Sequence, residues 1–123
     1  MLPVFQQIQV ERRDDVFCVR LKKRRLEESE LHQLGEELHE LVTVHGCLRL
    51  AIALGKDPID CLQSMFIGKL TGLRRLLQEN GGHIRLCDVA PINLDVLKIC
   101  KLTELFEVLP DMDAAVKSLE AAG

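Results

Sequence analysis

The 123-residue sequence contains few aromatic residues: four Phe, no Trp and no Tyr. Proteins that bind single-stranded nucleic acid without sequence preference stack the bases on aromatic side chains, so this scarcity counts against that function. The formal net charge of −3 at pH 7 provides no overall attraction to nucleic acid or to anionic lipid. We therefore expect neither a nucleic-acid partner nor a membrane partner.

The sequence also lacks the motifs that usually mark a metal or cofactor site. No CxxC pair occurs among the five cysteines, and neither GxGxxG nor GxxxxGK[ST] is present. His39, His45 and Cys47 lie near one another in sequence, but their spacing fits no standard metal site. We expect no metal, no cofactor and no catalytic residue, although spacing alone leaves open a triad built on one of the four histidines.

No stretch of the sequence approaches the roughly 18 consecutive apolar residues that a membrane-spanning helix needs. The N-terminus has no positively charged segment followed by an apolar run, so we expect no signal peptide. The cysteines are widely spaced and several lie inside apolar runs, which favours a reducing cytoplasm. A chain of this length fits one domain, so we expect residues 1–123 to form a single domain.

Hydrophobic periodicity divides the chain into alternating strands and helices. Alternating or continuous apolar stretches indicate strands at residues 4–10, 16–21, 47–54, 83–89 and 106–109. A helical repeat of apolar residues indicates helices at residues 28–45, 64–79 and 91–101, and a last helix, capped by Asp111 or Asp113, ends near residue 121. A charged turn joins the first two strands, which indicates a hairpin.

The order of these elements predicts the fold class. Strands alternate with helices from residue 16 onward, which indicates right-handed parallel crossovers. We predict an α/β fold with a mixed, mostly parallel sheet of about five strands and about four helices packed on it. In the first helix, Ser29 is the expected N-cap and Gly46 the expected left-handed residue after the helix. The basic run KKRR at residues 22–25 is expected to be a solvated turn.

Ser64 is the clearest candidate for a functional residue because it opens a helix directly after a strand and a loop. A serine at this place also has an ordinary structural role, since its hydroxyl can accept a hydrogen bond from an N–H group of the first helical turn. The position of Ser64 alone leaves both interpretations open.

The stretch LQSMFIGKLTGLRRLLQENGGHIRLCDV at residues 62–89 resembles the STAS domain of bacterial anti-sigma-factor antagonists. That family has a strand, a loop carrying Asp-Ser-Ser-Gly-Leu-Gly or a variant, a helix, and an Asn-Gly-Gly turn into the next strand. Here Ser64, Ile67 and Gly68 match the loop, and residues 80–82 match the turn. Residues 91–102 resemble the family's following helix, and the resemblance covers about residues 4–121.

The resemblance implies a non-catalytic regulatory domain that binds a protein, either an anti-sigma factor or a serine-kinase-like regulator. Ser64 falls on the position that a partner kinase phosphorylates in this family. A phosphate there adds about −1.5 to −2 charges at a helix N-terminus, in the middle of the docking surface. The partner-binding residues that follow from the resemblance are Asp60, Gln63, Ser64, Met65, Phe66 and Lys69.

The sequence departs from the family pattern at four positions. Gln63 and Ala53 stand where an Asp is usual, while Met65 and Phe66 replace small residues. If exposed, Met65 and Phe66 make an apolar tip that suits constitutive docking; the alternative is that both turn into the core. The missing carboxylates leave open a second function, a self-associating scaffold subunit without a phosphoswitch. We expect a monomer or a homodimer.

Overall fold

The computed structural model describes residues 4–55 and 64–122 of the chain. Five strands are found in these residues: β1 (Ile8–Arg13), β2 (Val16–Leu21), β3 (Arg49–Gly55), β4 (His83–Val89) and β5 (Glu107–Leu109). The same residues contain four α-helices: α1 (Glu28–Thr43), α2 (Ser64–Glu79), α3 (Pro91–Ile99) and α4 (Met112–Ala121), and a 3₁₀ turn at Leu102–Glu104. None of the helices in this part of the chain combines the length and hydropathy needed to cross a bilayer.

The strands form one sheet in the order β1-β2-β3-β4-β5. β1 pairs with β2 in antiparallel fashion, and the other three pairs are parallel. β3 is the central strand, where Ile52 lies between Val19 of β2 and Leu86 of β4. The predicted fold class, a mixed and mostly parallel sheet with four helices packed on it, is confirmed.

The two faces of β3 carry side chains of different size. Leu50, Ile52 and Leu54 belong to a large cluster that includes the buried leucines of α1 and α2. Ala51 and Ala53 belong to a second cluster, which also contains the buried residues of α4: Met112, Ala115, Val116 and Leu119. The large side chains of β3 therefore pack against α1 and α2, and the alanines on its other face pack closely against α4.

The N-terminal strand begins later than the sequence predicts. A strand over residues 4–10 is wrong, since β1 runs over Ile8–Arg13. The backbone N–H groups of Gln6 and Gln7 instead donate to the two carboxylate oxygens of Glu37, at 2.7 and 2.8 Å. Glu37 lies on α1 and is buried, so these charge-assisted hydrogen bonds hold the segment before β1 against the helix.

The helix ends differ from the predictions in detail. Glu27 rather than Ser29 is the N-cap of α1, and its N–H donates to Glu30 Oε1 at 3.1 Å. Gly46 has the expected left-handed conformation, with φ of 69°. Asp111 caps α4 by accepting a hydrogen bond from the Ala114 N–H at 2.8 Å. α3 ends at Ile99 and not at the predicted residue 101. Lys101 has a positive φ, which is not helical.

The close packing of α4 on small residues generates a prediction. Ala51 is fully buried beneath α4, so Ala51→Leu should lower the free energy of unfolding by about 1–3 kcal/mol through overpacking. Chemical denaturation measures the change. Val44→Leu, at a side chain that is exposed, is the control and should change stability by less than about 0.5 kcal/mol. Equal stability of the Ala51→Leu variant and the wild type would contradict this packing.

Candidate functional site

The candidate site lies at the edge of the sheet where the parallel strands end. β2, β3 and β4 are neighbours with the same direction, so their carboxyl ends at Leu21, Gly55 and Val89 meet at one edge. α2 follows β3 in sequence and begins at Ser64, as predicted. In open α/β sheets, ligands bind outside the carboxyl ends of the strands, so Ser64 lies where the fold places functional residues.

The structure describes only some of the predicted site residues. Asp60 and Gln63 lie outside the described residues, and for Ser64 and Met65 the structure describes the helical backbone but not the side chains. The first turn of α2 carries no acidic residue. No acidic side chain of that turn therefore neutralises the positive end of the helix dipole.

A basic side chain borders the end of β3. Arg24 Nη1 donates to the backbone oxygen of Leu54 at 2.7 Å. The next residue, Gly55, has φ of 93°, and a Cβ at this position would overlap the Arg24 guanidinium. Residues 22–25 form the predicted turn between β2 and α1, and Lys22, Lys23 and Arg25 are exposed. Arg24 departs from the prediction because it is partly buried, and Lys22 also donates to the backbone oxygen of Phe5. Arg24 thus places a positive charge at the carboxyl end of β3.

An ion pair crosses the same edge on the face that α4 covers. Arg20 of β2 lies 3.7 Å from Asp88 of β4, on either side of β3. Ala53, the residue that replaces the usual Asp, is 1% exposed between these strands and packs in the α4 cluster. The sequence did not indicate a role for Asp88. Its positive φ of 57° and its ion pair with Arg20 arise only in the folded chain.

Phe66 faces the core and not the solvent. Its side chain is 1% exposed and belongs to the cluster beneath α1 and α2. Phe66, Leu70, Leu73 and Leu77 recur at helical spacing along one buried stripe of α2. The prediction that Phe66 contacts a partner is therefore wrong for its side chain, and of the two alternatives for this residue the inward one holds.

Lys69 lies on a groove between α1 and α2. A Cβ built on Gly35 of α1 would overlap the aliphatic part of Lys69, and the Lys69 amino group lies 3.4 Å from His32 Nδ1. The groove has a volume of about 600 Å³, with leucines forming its apolar lining and both acidic and basic side chains along its length. Lys69 is thus partly exposed in this groove.

The described residues provide no evidence of nucleophilic or metal chemistry. Burial raises the pKa of Cys47 and of Cys87 to about 12, so both thiols are protonated at neutral pH and are poor nucleophiles. Burial likewise raises the pKa of Cys18. Within residues 4–55 and 64–122, no group of three or more His, Cys, Asp or Glu side chains is arranged to hold a metal ion.

Comparison with known proteins identifies relatives of one kind. No family profile matches the chain. An anti-sigma F factor antagonist from Paenibacillus polymyxa is 25% identical over 113 residues, which is 92% of each chain. Among solved structures, an anti-sigma-factor antagonist (STAS) domain protein from Planctomyces limnophilus superimposes with a TM-score of 0.79, at 21% identity over 93% of this chain and 98% of its own.

A third relative is the Bacillus cell fate determinant SpoIIAA in its phosphorylated form. It superimposes with a TM-score of 0.64 at 17% identity and covers 90% of this chain and 98% of its own. The resemblance drawn from the sequence is therefore confirmed: the chain has the STAS fold, and its curated relative is an anti-sigma-factor antagonist. The names of these proteins describe regulators, an antagonist of an anti-sigma factor and a cell fate determinant.

The contact between Gly55 and Arg24 generates a second prediction. Gly55→Ala should lower the free energy of unfolding by about 1–2 kcal/mol or more, since the added Cβ meets a positive φ and the Arg24 guanidinium. Gly68→Ala is the matched control. A Cβ there meets nothing within 4 Å on α2, so this change should raise stability by about 0.5–1 kcal/mol. Thermal or chemical unfolding measures both, and equal effects of the two substitutions would contradict the geometry at Gly55.

Proposed function

We propose that the chain is a regulatory domain that docks a protein partner, an anti-sigma factor or a serine-kinase-like regulator, at the start of α2. Phosphorylation of Ser64 controls the docking. The observation that carries this proposal is that Ser64 opens α2 at the carboxyl edge of a STAS fold. The free, buried thiols of Cys18, Cys47 and Cys87 suit action in a reducing cytoplasm.

The charges around the start of α2 support a phosphate-controlled surface. The helix N-terminus favours a negative group, and the Arg24 guanidinium at the end of β3 adds a positive charge to the same edge of the sheet. A phosphate at Ser64 is therefore tolerated by the domain itself. To a partner the same group presents about −1.5 to −2 additional charges, so docking is switched without a change of fold. The solved structure of phosphorylated SpoIIAA shows that this fold exists in a phosphorylated state.

The proposed contact surface includes Lys69 as well as Ser64. Asp60, Gln63 and the side chain of Met65 complete it in our proposal. Lys69 lies five residues after Ser64, about 8 Å further along the helix axis, where its partly exposed side chain borders the groove between α1 and α2. Phe66 contributes differently, because its burial anchors the first turns of α2 to the core and keeps the surface rigid.

The second candidate function is a self-associating scaffold subunit without a phosphoswitch. Its support is an apolar stripe on α3, where the exposed residues Ile92 and Ile99 flank the partly buried Val96. Exposed apolar side chains at helical spacing on one face favour association. Sedimentation velocity over a wide concentration range tests this function: a subunit forms dimers or larger species, and Ile99→Lys dissociates them. A strict monomer at high concentration contradicts it.

The phosphoswitch makes a direct prediction about partner recovery. Ser64→Asp should reduce the amount of partner that co-purifies with the tagged chain by about tenfold. The added negative charge would lie in the interface without a complementary charge on the partner. Ser64→Ala should retain the partner. Quantitative mass spectrometry of the captured proteins measures recovery, with identification of an anti-sigma factor or serine kinase as the expected result.

Ser29→Asp is the matched control for that experiment. Ser29 is an exposed serine in the first turn of α1, so the substitution places the same charge at the start of a different helix. Partner recovery should be unchanged in this variant. Equal recovery with Ser64→Asp and with Ser29→Asp would remove Ser64 from the mechanism.

A further inference from the structure

A second pocket lies at the opposite edge of the sheet, where the parallel strands begin. It has a volume of about 340 Å³, and its lining includes Arg49 and His83, the first residues of β3 and β4. Arg12 near the end of β1 and His45 just after α1 contribute two further basic side chains. Asp15 also lines this pocket, which we call the amino-edge pocket.

The guanidinium group of Arg12 is held in place by an aromatic ring. Its central carbon lies 4.7 Å from the centroid of the Phe17 ring, which is itself buried. A cation above an aromatic face at this distance is attracted by the ring quadrupole. Arg12 is therefore positioned at the wall of the amino-edge pocket although its side chain is exposed.

Arg49 is oriented by two weaker contacts. Its Nη1 lies 3.2 Å from Asp15 Oδ2, and its Nη2 donates to the backbone oxygen of Ala122 at 3.0 Å. The Asp15 side chain is 78% exposed, so this ion pair is screened by water and salt. A stronger anion in the pocket can therefore replace Asp15 as the partner of Arg49.

The remaining walls leave room for a ligand. Gly46 and Gly81 line the pocket, and a Cβ on either residue would meet nothing within 4 Å. His83 is fixed by its backbone, since its N–H donates to the Leu48 oxygen at 2.7 Å. Pockets of roughly 300–1,000 Å³ accommodate small organic molecules, so the amino-edge pocket is large enough for a metabolite-sized ligand.

We propose that the amino-edge pocket binds a small ligand through an oxyanion, either a phosphate or a carboxylate group. With neutral histidines the lining carries a charge of +1, from Arg12 and Arg49 against Asp15. The groove between α1 and α2 has Lys69 and Arg75 against Glu36 and Glu79, which sum to zero. Two guanidinium groups from different strands line this pocket, and guanidinium is the side-chain group best suited to bind planar or tetrahedral oxyanions.

This proposal does not depend on Ser64 or on a protein partner, because the pocket lies at the edge of the sheet opposite the start of α2. The basic side chains have one competing explanation. α1 and α2 end near the pocket, and the C-terminal ends of helices favour nearby cations. In that case the arginines contribute to stability and bind no ligand.

NMR titration of the ¹⁵N-labelled full chain with sodium phosphate, and separately with sodium acetate, tests the proposal. Sodium chloride keeps the ionic strength constant throughout. We expect saturable shifts of the Gly46, Gly81 and His83 amide signals. Saturation with phosphate alone identifies a phosphate site, and saturation with acetate as well identifies a general oxyanion site. Shifts that stay linear with both salts would overturn the proposal.

Variants separate ligand binding from stability. Arg12→Gln should weaken the binding of the saturating anion about tenfold, and His83→Asn should weaken it from the other wall. Arg75→Gln, an exposed arginine on α2, removes the same charge outside the pocket and should leave binding unchanged. Equal binding by the Arg12→Gln and Arg75→Gln variants would contradict the site.

Asp15→Asn provides a gain-of-binding test that structural damage cannot imitate. Removing this carboxylate frees Arg49 and raises the positive charge of the pocket. The affinity for the saturating anion should rise about two- to fivefold. A lower affinity in this variant would show that Asp15 supports the site and would overturn the proposed role of the charges.

Discussion

The parallel pairing of β3 with β2 on one side and β4 on the other determines where the other features of the molecule lie. Because the three strands share one direction, all their carboxyl ends meet at one edge and all their amino ends at the other. The first edge receives the start of α2, and the second receives the ends of α1 and α2. The two edges therefore differ in helix dipole as well as in side chains.

The side chains on the two faces of β3 differ in size, and this difference determines how the helices pack on each face. Large residues face α1 and α2, and alanines face α4. α2 is thus held by a broad apolar cluster that includes Phe66. A rigid helix start is what a docking surface needs if a single added phosphate is to change its charge without changing its shape. The function that we propose depends on this rigidity as much as on the serine.

The sequence predicts those parts of the structure that depend on local periodicity. β4 occupies the predicted residues, α2 begins and ends as predicted, and the order of the nine elements is correct. Long-range contacts account for the errors. The start of β1 depends on Glu37, which is 30 residues distant from Gln7. The environment of Arg24 depends on Leu54, again 30 residues distant. No local pattern contains such pairings.

The candidate site was predicted in part for the same reason. Ser64 at the start of α2 follows from a local strand-loop-helix pattern, and the STAS resemblance marks its position. The inward direction of Phe66 follows from its place on the buried stripe of α2, whose helical spacing is visible in the sequence. Asp88 and the basic residues of the amino-edge pocket come together from separate strands and loops. Neither arrangement can be deduced from spacing along the chain.

Hydrogen–deuterium exchange of the chain, alone and in complex with its captured partner, tests the central claim most directly. If the partner docks at the carboxyl edge of the sheet, backbone protection on binding should be greatest over residues 60–69. The face of α4 and the amino-edge pocket should change little. Protection concentrated on α4, with residues 60–69 unaffected, would contradict docking at the start of α2.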